Sequence, residues 1–433
     1  MTGPSVHAGS LSTAGRARLA ELADASGIRR VHMLGWRDLD DDEAGGSEVH
    51  ASTVAALWAE AGLEVTMRSS ASKGRSAEGF RDGYRVIRRG SRYGVFPRAA
   101  AAEITGRHGP SDALVEIWNG MPFVSPLWWR GPHAVWLHHV HGPMWNMALG
   151  DRLGKVGRLL EERVAPPLYR RVPVVTLSAS SEEELTRDLG FSRERVGVVE
   201  PGIDARYTPG GTRSETPLVV AVARLAPVKR FSMLVRAAAR ARERVGDLRL
   251  VIVGEGYMRP DVVATIEAVG GQSWVHMAGH VSDDELIDLY RSAWCVASAS
   301  EREGWGMTMT EAAACGTPAV ATDIAGHADA IRADHSGLLV DGEQGLADGL
   351  ARLLGDMRGL HIGTAARLDV AAPGVPIGTE LLGRVLDGMG NPIDGGPSID
   401  SLHRVGIDGT PPHPLKRQLV RVPQHLGVRA LDT

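Results

Sequence analysis

The 433-residue chain reads as an α/β protein: two parallel-sheet units of similar size facing each other across a cleft, then a short β/irregular C-terminal tail. Three observations point there. Short runs rich in Val, Ile and Leu alternate with segments of helical period, the pattern of parallel sheets with helices on both faces. A turn-rich stretch at 201–217, with Pro201, Gly202, Pro209, Gly210, Gly211 and Pro217, breaks the alternation half-way, and the pattern then restarts. From about Leu360 the long helical patterns stop and Gly and Pro take over.

The expected organisation is therefore 1–205, 206–360 and 361–433. In the first unit the candidate strands are 30–36, 64–68, 113–117, 133–137, 174–177 and 196–199. Ser180 and Ser181 are followed three residues on by Glu183 and Glu184, which reads as a helix N-cap with its capping box. In the second unit strands are expected at 218–223, 248–253, 274–277, 295–298 and 318–322, and helices at 231–244, 283–292 and 309–315. Ser282 caps the second of these helices and Glu285 closes the box. Ligands of open α/β sheets bind outside the carboxyl ends of the strands, so two such sheets put the natural site in their shared cleft.

Composition narrows the class. Apolar residues make up 43% of the chain, so each unit can bury a core, and a formal net charge of −4 gives no reason to expect a nucleic-acid partner. The two cysteines, Cys295 and Cys315, lie in apolar segments and read as buried small hydrophobes. Neither a disulfide framework nor a zinc spacing is present, which suits a reducing cytoplasm. No secretory signal and no membrane span of about 18 apolar residues is expected.

Four segments could carry chemistry. The first is Glu303-Gly-Trp-Gly-Met-Thr-Met-Thr-Glu311, two carboxylates either side of a glycine loop where a strand ends and a helix begins. A helix start presents free N–H groups and a partial positive charge, which suits a phosphate. Glu311, about a turn into the helix, is placed to accept from ribose hydroxyls, and Glu303 to hold sugar hydroxyls. The second is the Arg224 to Arg230 loop after the first strand of the second unit, where Arg224 and Lys229 could neutralise a diphosphate leaving group. The third is Gly45-Gly46-Ser47-Glu48, whose glycines let backbone approach a phosphate or an acceptor. The fourth is His138-His139-Val140-His141 at a strand end. Each has a plainer alternative: a turn, a solvated cationic face, a structural histidine. Their joint order and placement are what point to a site.

These residues resemble the retaining GT-B glycosyltransferases of glycosyltransferase family 4, over about residues 30–355. The resemblance is carried by Gly-Gly-Ser-Glu at 45–48, Val-Glu-Ile-Trp-Asn-Gly-Met-Pro-Phe at 115–123, Val-Val-Thr-Leu-Ser at 174–178, Val-Glu-Pro-Gly-Ile-Asp at 199–204, Arg224 with Lys229, Val-Gly-Glu-Gly at 253–256, and the Glu303/Glu311 loop. It implies two Rossmann-like domains and transfer of a hexose from a nucleotide diphosphate sugar to a sugar, lipid or small-molecule acceptor, with retention of configuration. It implies that Arg224 and Lys229 grip the diphosphate, that Glu303 binds the donor sugar and Glu311 the ribose, and that Gly45 and Gly46 lie near the phosphates. It places His138 near sugar and acceptor, backbone of Met307 and Thr308 on phosphate, Gly254 on the donor side, and the base near Gly279, His280 and Val281. It implies no metal, and no cofactor beyond the donor as co-substrate.

Two features stand outside that reading. Residues 363–432, with Leu381-Leu-Gly-Arg-Val-Leu-Asp-Gly-Met-Gly-Asn-Pro-Ile-Asp-Gly-Gly-Pro-Ser-Ile399, resemble a fragment of the flagellar and type III secretion export ATPases, without a phosphate-binding loop. That resemblance takes the place of the helix with which the glycosyltransferase family returns to its first domain. It keeps two other functions open: a non-catalytic nucleotide-sugar binder, and an export-apparatus interaction protein acting through the tail. Between Arg68 and Arg98, nine basic residues stand against Glu78 and Asp82. They read either as a solvated surface or as a patch for a phosphorylated acceptor or an anionic membrane, the latter placing the protein at the inner face of the cell membrane.

Overall fold

A computed structural model describes residues 13–41, 44–142, 144–359, 374–377 and 403–406. The first sheet contains β1 (Arg30–Leu34), β2 (Glu64–Ser69), β3 (Glu78–Arg81), β4 (Tyr84–Arg88), β5 (Ala113–Trp118), β6 (His133–Leu137), β7 (Val174–Thr176) and β8 (Val196–Val198), in the order β3-β4-β2-β1-β5-β6-β7-β8. All neighbours are parallel except the hairpin pair β3 and β4. Helices α1 (Thr13–Ser26), α2 (Gly46–Glu60), α3 (Val95–Ile104), α4 (Met144–Leu159), α5 (Pro166–Tyr169) and α6 (Ala179–Arg187) accompany it. The second sheet, β9 (Leu218–Val222), β10 (Arg249–Val253), β11 (Val275–Gly279), β12 (Cys295–Ser298), β13 (Ala319–Thr322) and β14 (Gly337–Val340), runs β11-β10-β9-β12-β13-β14 and is parallel throughout. It carries α7 (Phe231–Val245), α8 (Arg259–Ala268), α9 (Asp283–Ser292), α10 (Met307–Ala314), α11 (Ala325–Ala330) and α12 (Gly342–Gly359).

The expected strands all form, within a residue or two. β5 shows why they were legible: every residue is buried, as a central parallel strand requires. Its one charge, Glu116, accepts from Phe123 N (2.6 Å), Ser125 N (3.2 Å) and Tyr169 Oη (2.6 Å). Burial raises its pKa against those bonds. The α9 box forms as expected: Ser282 Oγ accepts from Glu285 N, and Glu285 accepts from Ser282 N at 2.8 Å. At α6 the cap moves. Ser178, not Ser180 or Ser181, accepts from the amide of Ser181 at 3.1 Å, because the helix already starts at Ala179. Likewise α10 starts two residues earlier than expected, at Met307, where Gly306 turns the chain with φ +96. Cys295 and Cys315 are buried and free.

The basic run is not an open cationic face. Arg68 is 1% exposed and donates to the carbonyls of Ser69 and Arg89. Arg81 and Arg88 bind Asp38 and Asp40, Arg75 binds Asp40, and Arg85 and Arg89 bind Glu78. Asp38 and Asp40 come from the loop after β1, far away in sequence, so the local charge count misses them. Glu103 on α3 accepts from His32 Nδ1 (2.9 Å) and His108 Nδ1 (2.6 Å). These bonds tie α3 to β1.

Residues 362–433 form a separate unit, in which Gly374–Ile377 (β15) and His403–Gly406 (β16) pair antiparallel. The ATPase-like motif at 381–399 lies outside the described residues.

Candidate active site

In both sheets strand order reverses beside the first strand, at β1/β5 and at β9/β12. Such switch points open a crevice at the carboxyl ends of the strands. The loops after these four strands supply Gly45–Gly46, Asn119, Arg224–Arg230 and Ser300–Gly306. Gly45, Gly46, Arg224, Lys229 and Glu303 lie on these loops, whereas His138, Gly254, and His280 with Val281 follow β6, β10 and β11.

The two halves touch at this point. A Cβ placed on Gly46, at the start of α2, would stand 3.4 Å from the sulfur of Met307, at the start of α10. Two helix N-termini thus meet. The first amides of each helix have no intrahelical acceptor, which favours an anion. Gly304 packs against backbone of the first half: a Cβ there would lie 2.5 Å from the carbonyl oxygen of His138. Arg302 reinforces the contact, donating to the Val140 carbonyl (2.7 Å) and pairing with Glu184.

Lys229 and Glu303, expected to serve phosphate and sugar separately, form an ion pair with each other. Ser300 Oγ also donates to Glu303 Oε1 at 2.8 Å. Burial pushes the Glu303 pKa up, but the charge and hydrogen bond of Lys229 outweigh it and hold the carboxyl below its ordinary value. Arg230 holds the loop beneath, donating to the carbonyls of Ala299 (2.7 Å) and Ser300 (3.0 Å). Gly254 has a backbone reason for being glycine. Any Cβ there would overlap the Ala223 carbonyl, so it lets β10 lie under the Arg224 loop.

Glu311 accepts a hydrogen bond from Tyr290 Oη at 2.9 Å. Burial dominates its titration and, against that bond, pushes its pKa to about 7. His280 is exposed and Val281 half-buried at the end of β11, an edge strand two places from β9. Thr308 is half-buried at the start of α10.

The histidines are neutral. Burial, then His50 and His139, pulls His138 well below its ordinary pKa. Its Nε2 lies 3.1 Å from His50 Nδ1, while its own Nδ1 is buried with no protein partner. Burial brings His139 down to about 4, helped by Arg302, Lys229 and Arg224 and opposed by Glu303. Neutral imidazoles beside these cations act as hydrogen-bond partners, not as charges. His50 was missed in the sequence, although it lies four residues after Gly46 and so on the same helix face. Tyr290, Arg302 and the buried His327 were missed as well. Arg302 adjoins Glu303, but Tyr290 and His327 arrive only through folding.

The comparisons with known proteins bear on the family and the fold. Residues 44–207 match the family model Glycosyltransferase Family 4, and residues 208–368 match Glycosyl transferases group 1. Sucrose-phosphate synthase from Thermosynechococcus elongatus superposes with a TM-score of 0.64 at 19% identity, covering 76% of this chain and 90% of that one. The fold is that of the GT-B glycosyltransferases. Anabaena HepE, solved in complex with UDP and glucose, has a TM-score of 0.60 at 17% identity, covering 76% of this chain and 91% of that one. A D-inositol 3-phosphate glycosyltransferase of Nocardia farcinica is 35% identical over 249 residues, 53% of this chain and 54% of that protein. The chain spans about half the length of that curated relative. In this GT-B cleft Gly46 with Met307, Lys229 with Glu303, and Gly304 with His138 are brought together. Glu311 stands further along α10, and His280 and Val281 at the sheet edge.

Proposed function

We propose that the chain transfers a hexose from a nucleoside diphosphate sugar to a hydroxyl acceptor, with retention of configuration. The observation that carries this reading is the meeting of the α2 and α10 N-termini beside the Lys229–Glu303 pair. Two anion-favouring helix starts meet there, and the lysine pairs with a carboxylate on the loop that leads into the second of them. In the reaction, the bond from C1 to the leaving phosphate oxygen breaks and the acceptor oxygen bonds C1 on the same face. The acceptor proton passes to the departing phosphate. Arg224, Lys229 and the amides of Met307 and Thr308 stabilise the charge growing on that phosphate. Glu303 exchanges Lys229 for sugar hydroxyls as Lys229 turns to phosphate. His138 Nδ1 offers a hydrogen bond to the sugar, and Glu311 takes the ribose. No cofactor other than the donor is needed.

The acceptor side follows from the first sheet. A cavity of about 260 Å³ at the carboxyl ends of β1 and β2 is lined by Arg37, Asp40, Asp41, Ser70, Lys73 and Arg92 among others. Three cations stand against two carboxylates in this lining, with Asp40 bound to arginines and Arg37 to Glu48, and that balance suits a phosphate-bearing polyol. The relative's name, D-inositol 3-phosphate glycosyltransferase, supports that chemistry. The phosphate belongs either to a free polyol phosphate or to a lipid headgroup.

The test is turnover with UDP-, GDP- and ADP-hexoses, offering inositol phosphate and a phosphoinositide as separate acceptors. One donor is expected to yield product, with the anomeric proton in NMR reporting retention. Alanine at Arg224 or Lys229 lowers the rate by about a hundred- to a thousand-fold. An inverted product refutes the same-face mechanism, and donor cleavage indifferent to both substitutions refutes the site.

A further inference from the structure

The segment of α4 that follows its break at Gly150 (φ +72), with the π-helical turn Leu160–Val164 that continues it, carries its apolar side chains on the outside. Leu153, Val156, Leu159 and Val164 are 61%, 61%, 57% and 49% exposed. The inward face is small and polar. Gly154 and Gly157 are buried, and a Cβ on Gly157 would run into the Trp145 ring at 2.5 Å. Glu161, also buried, accepts from Trp145 Nε1 (2.8 Å), His141 N (3.0 Å) and Gly142 N (3.1 Å). A helix lying on a core does the opposite, turning its large apolar residues inward.

Cations interleave the outward apolar residues. Arg152, Lys155 and Arg163 are exposed, and Arg158 pairs with Glu162 at 3.2 Å. An exposed apolar patch rimmed by charge marks a contact surface. A second copy of the chain meeting this face would set like charges against each other. An anionic lipid surface satisfies both components: apolar side chains enter the headgroup boundary, and the cations meet lipid phosphates. We propose that α4 docks this protein on an anionic membrane surface. The Glu161 bonds tie the docked segment to the His141–Gly142 loop, beside the candidate site. Docking there brings a lipid-borne acceptor to the histidines.

Vesicle co-sedimentation of the full chain tests this without any reference to catalysis. Vesicles of phosphatidylcholine alone are compared with vesicles that also contain phosphatidylglycerol. The chain is expected to sediment only with the anionic vesicles. Leu153→Ser with Val156→Ser, and separately Arg152→Ser with Lys155→Ser, each lower partitioning by about tenfold or more. All four side chains are exposed, so the fold is kept. A wild-type chain that stays in the supernatant overturns the proposal, as do variants that sediment like wild type. A dimer in sedimentation velocity that the Leu153/Val156 pair dissolves assigns the face to a second copy and also overturns it.

Discussion

The two sheets share a topology and differ in what they bury. The second unit has one continuous apolar cluster running from Leu218 to Leu354, and its fully buried polar side chains are Ser300, Thr317, Thr322 and His327. The first unit has three smaller apolar clusters, and among them it buries Asp38, Glu48, Arg68, Arg88, Glu116 and Glu161. The second is an apolar scaffold that holds its chemistry at loop ends. The first carries charge through its interior, and each charge needs its partners. The difference shows where stability and activity are separately vulnerable.

The sharpest break concerns Asp38, which has no exposed surface and binds both Arg81 and Arg88. Asp38→Ala leaves Arg81 and Arg88 to share Asp40 alone, and Asp38→Ala with Asp40→Ala leaves both without a carboxylate and costs about 3–5 kcal/mol. Scanning calorimetry is expected to show an early transition that belongs to the first unit. An unshifted melt would mean that the network is ornamental and that the two units are alike.

A smaller effect separates the units by pH. Glu311 titrates at about 7 in the folded chain against an ordinary 4.5. A raised folded value means that its contribution is fully present below about 4.5 and is lost as pH rises through about 7. Wild type therefore loses thermal stability relative to Glu311→Gln across that window. Glu161, also pushed to about 7 by burial, titrates in both proteins and cancels. A Tm difference that does not change with pH contradicts the enclosed carboxyl.

The same contrast decides what could be read from the sequence. Much of the second unit was legible because its signals are local: an apolar run for each of β9 to β13, Ser282 three residues before Glu285, and Arg224 and Lys229 directly after a strand; β14, α8, α11 and α12 were not found. Glu303 and Glu311 lie on one loop and the helix that follows it. The first unit hides its logic in long-range pairs. Asp38 and Asp40 meet arginines some forty residues on, Glu103 joins His32 across the sheet, and β3 and β4 were not found within an arginine-rich stretch. The Lys229–Glu303 pair and the Tyr290–Glu311 bond were invisible for the same reason, since each joins residues on different elements.

The central claim is that the loops of the apolar unit hold a nucleoside diphosphate sugar. Calorimetric titration of UDP-, GDP- and ADP-hexoses into wild type and Lys229→Ala tests it most directly. One donor is expected to bind wild type saturably, and Lys229→Ala to bind it about tenfold or more weakly, the loss of one hydrogen bond to a charged group. Absence of binding by every donor, or equal affinity in the two proteins, would contradict the claim.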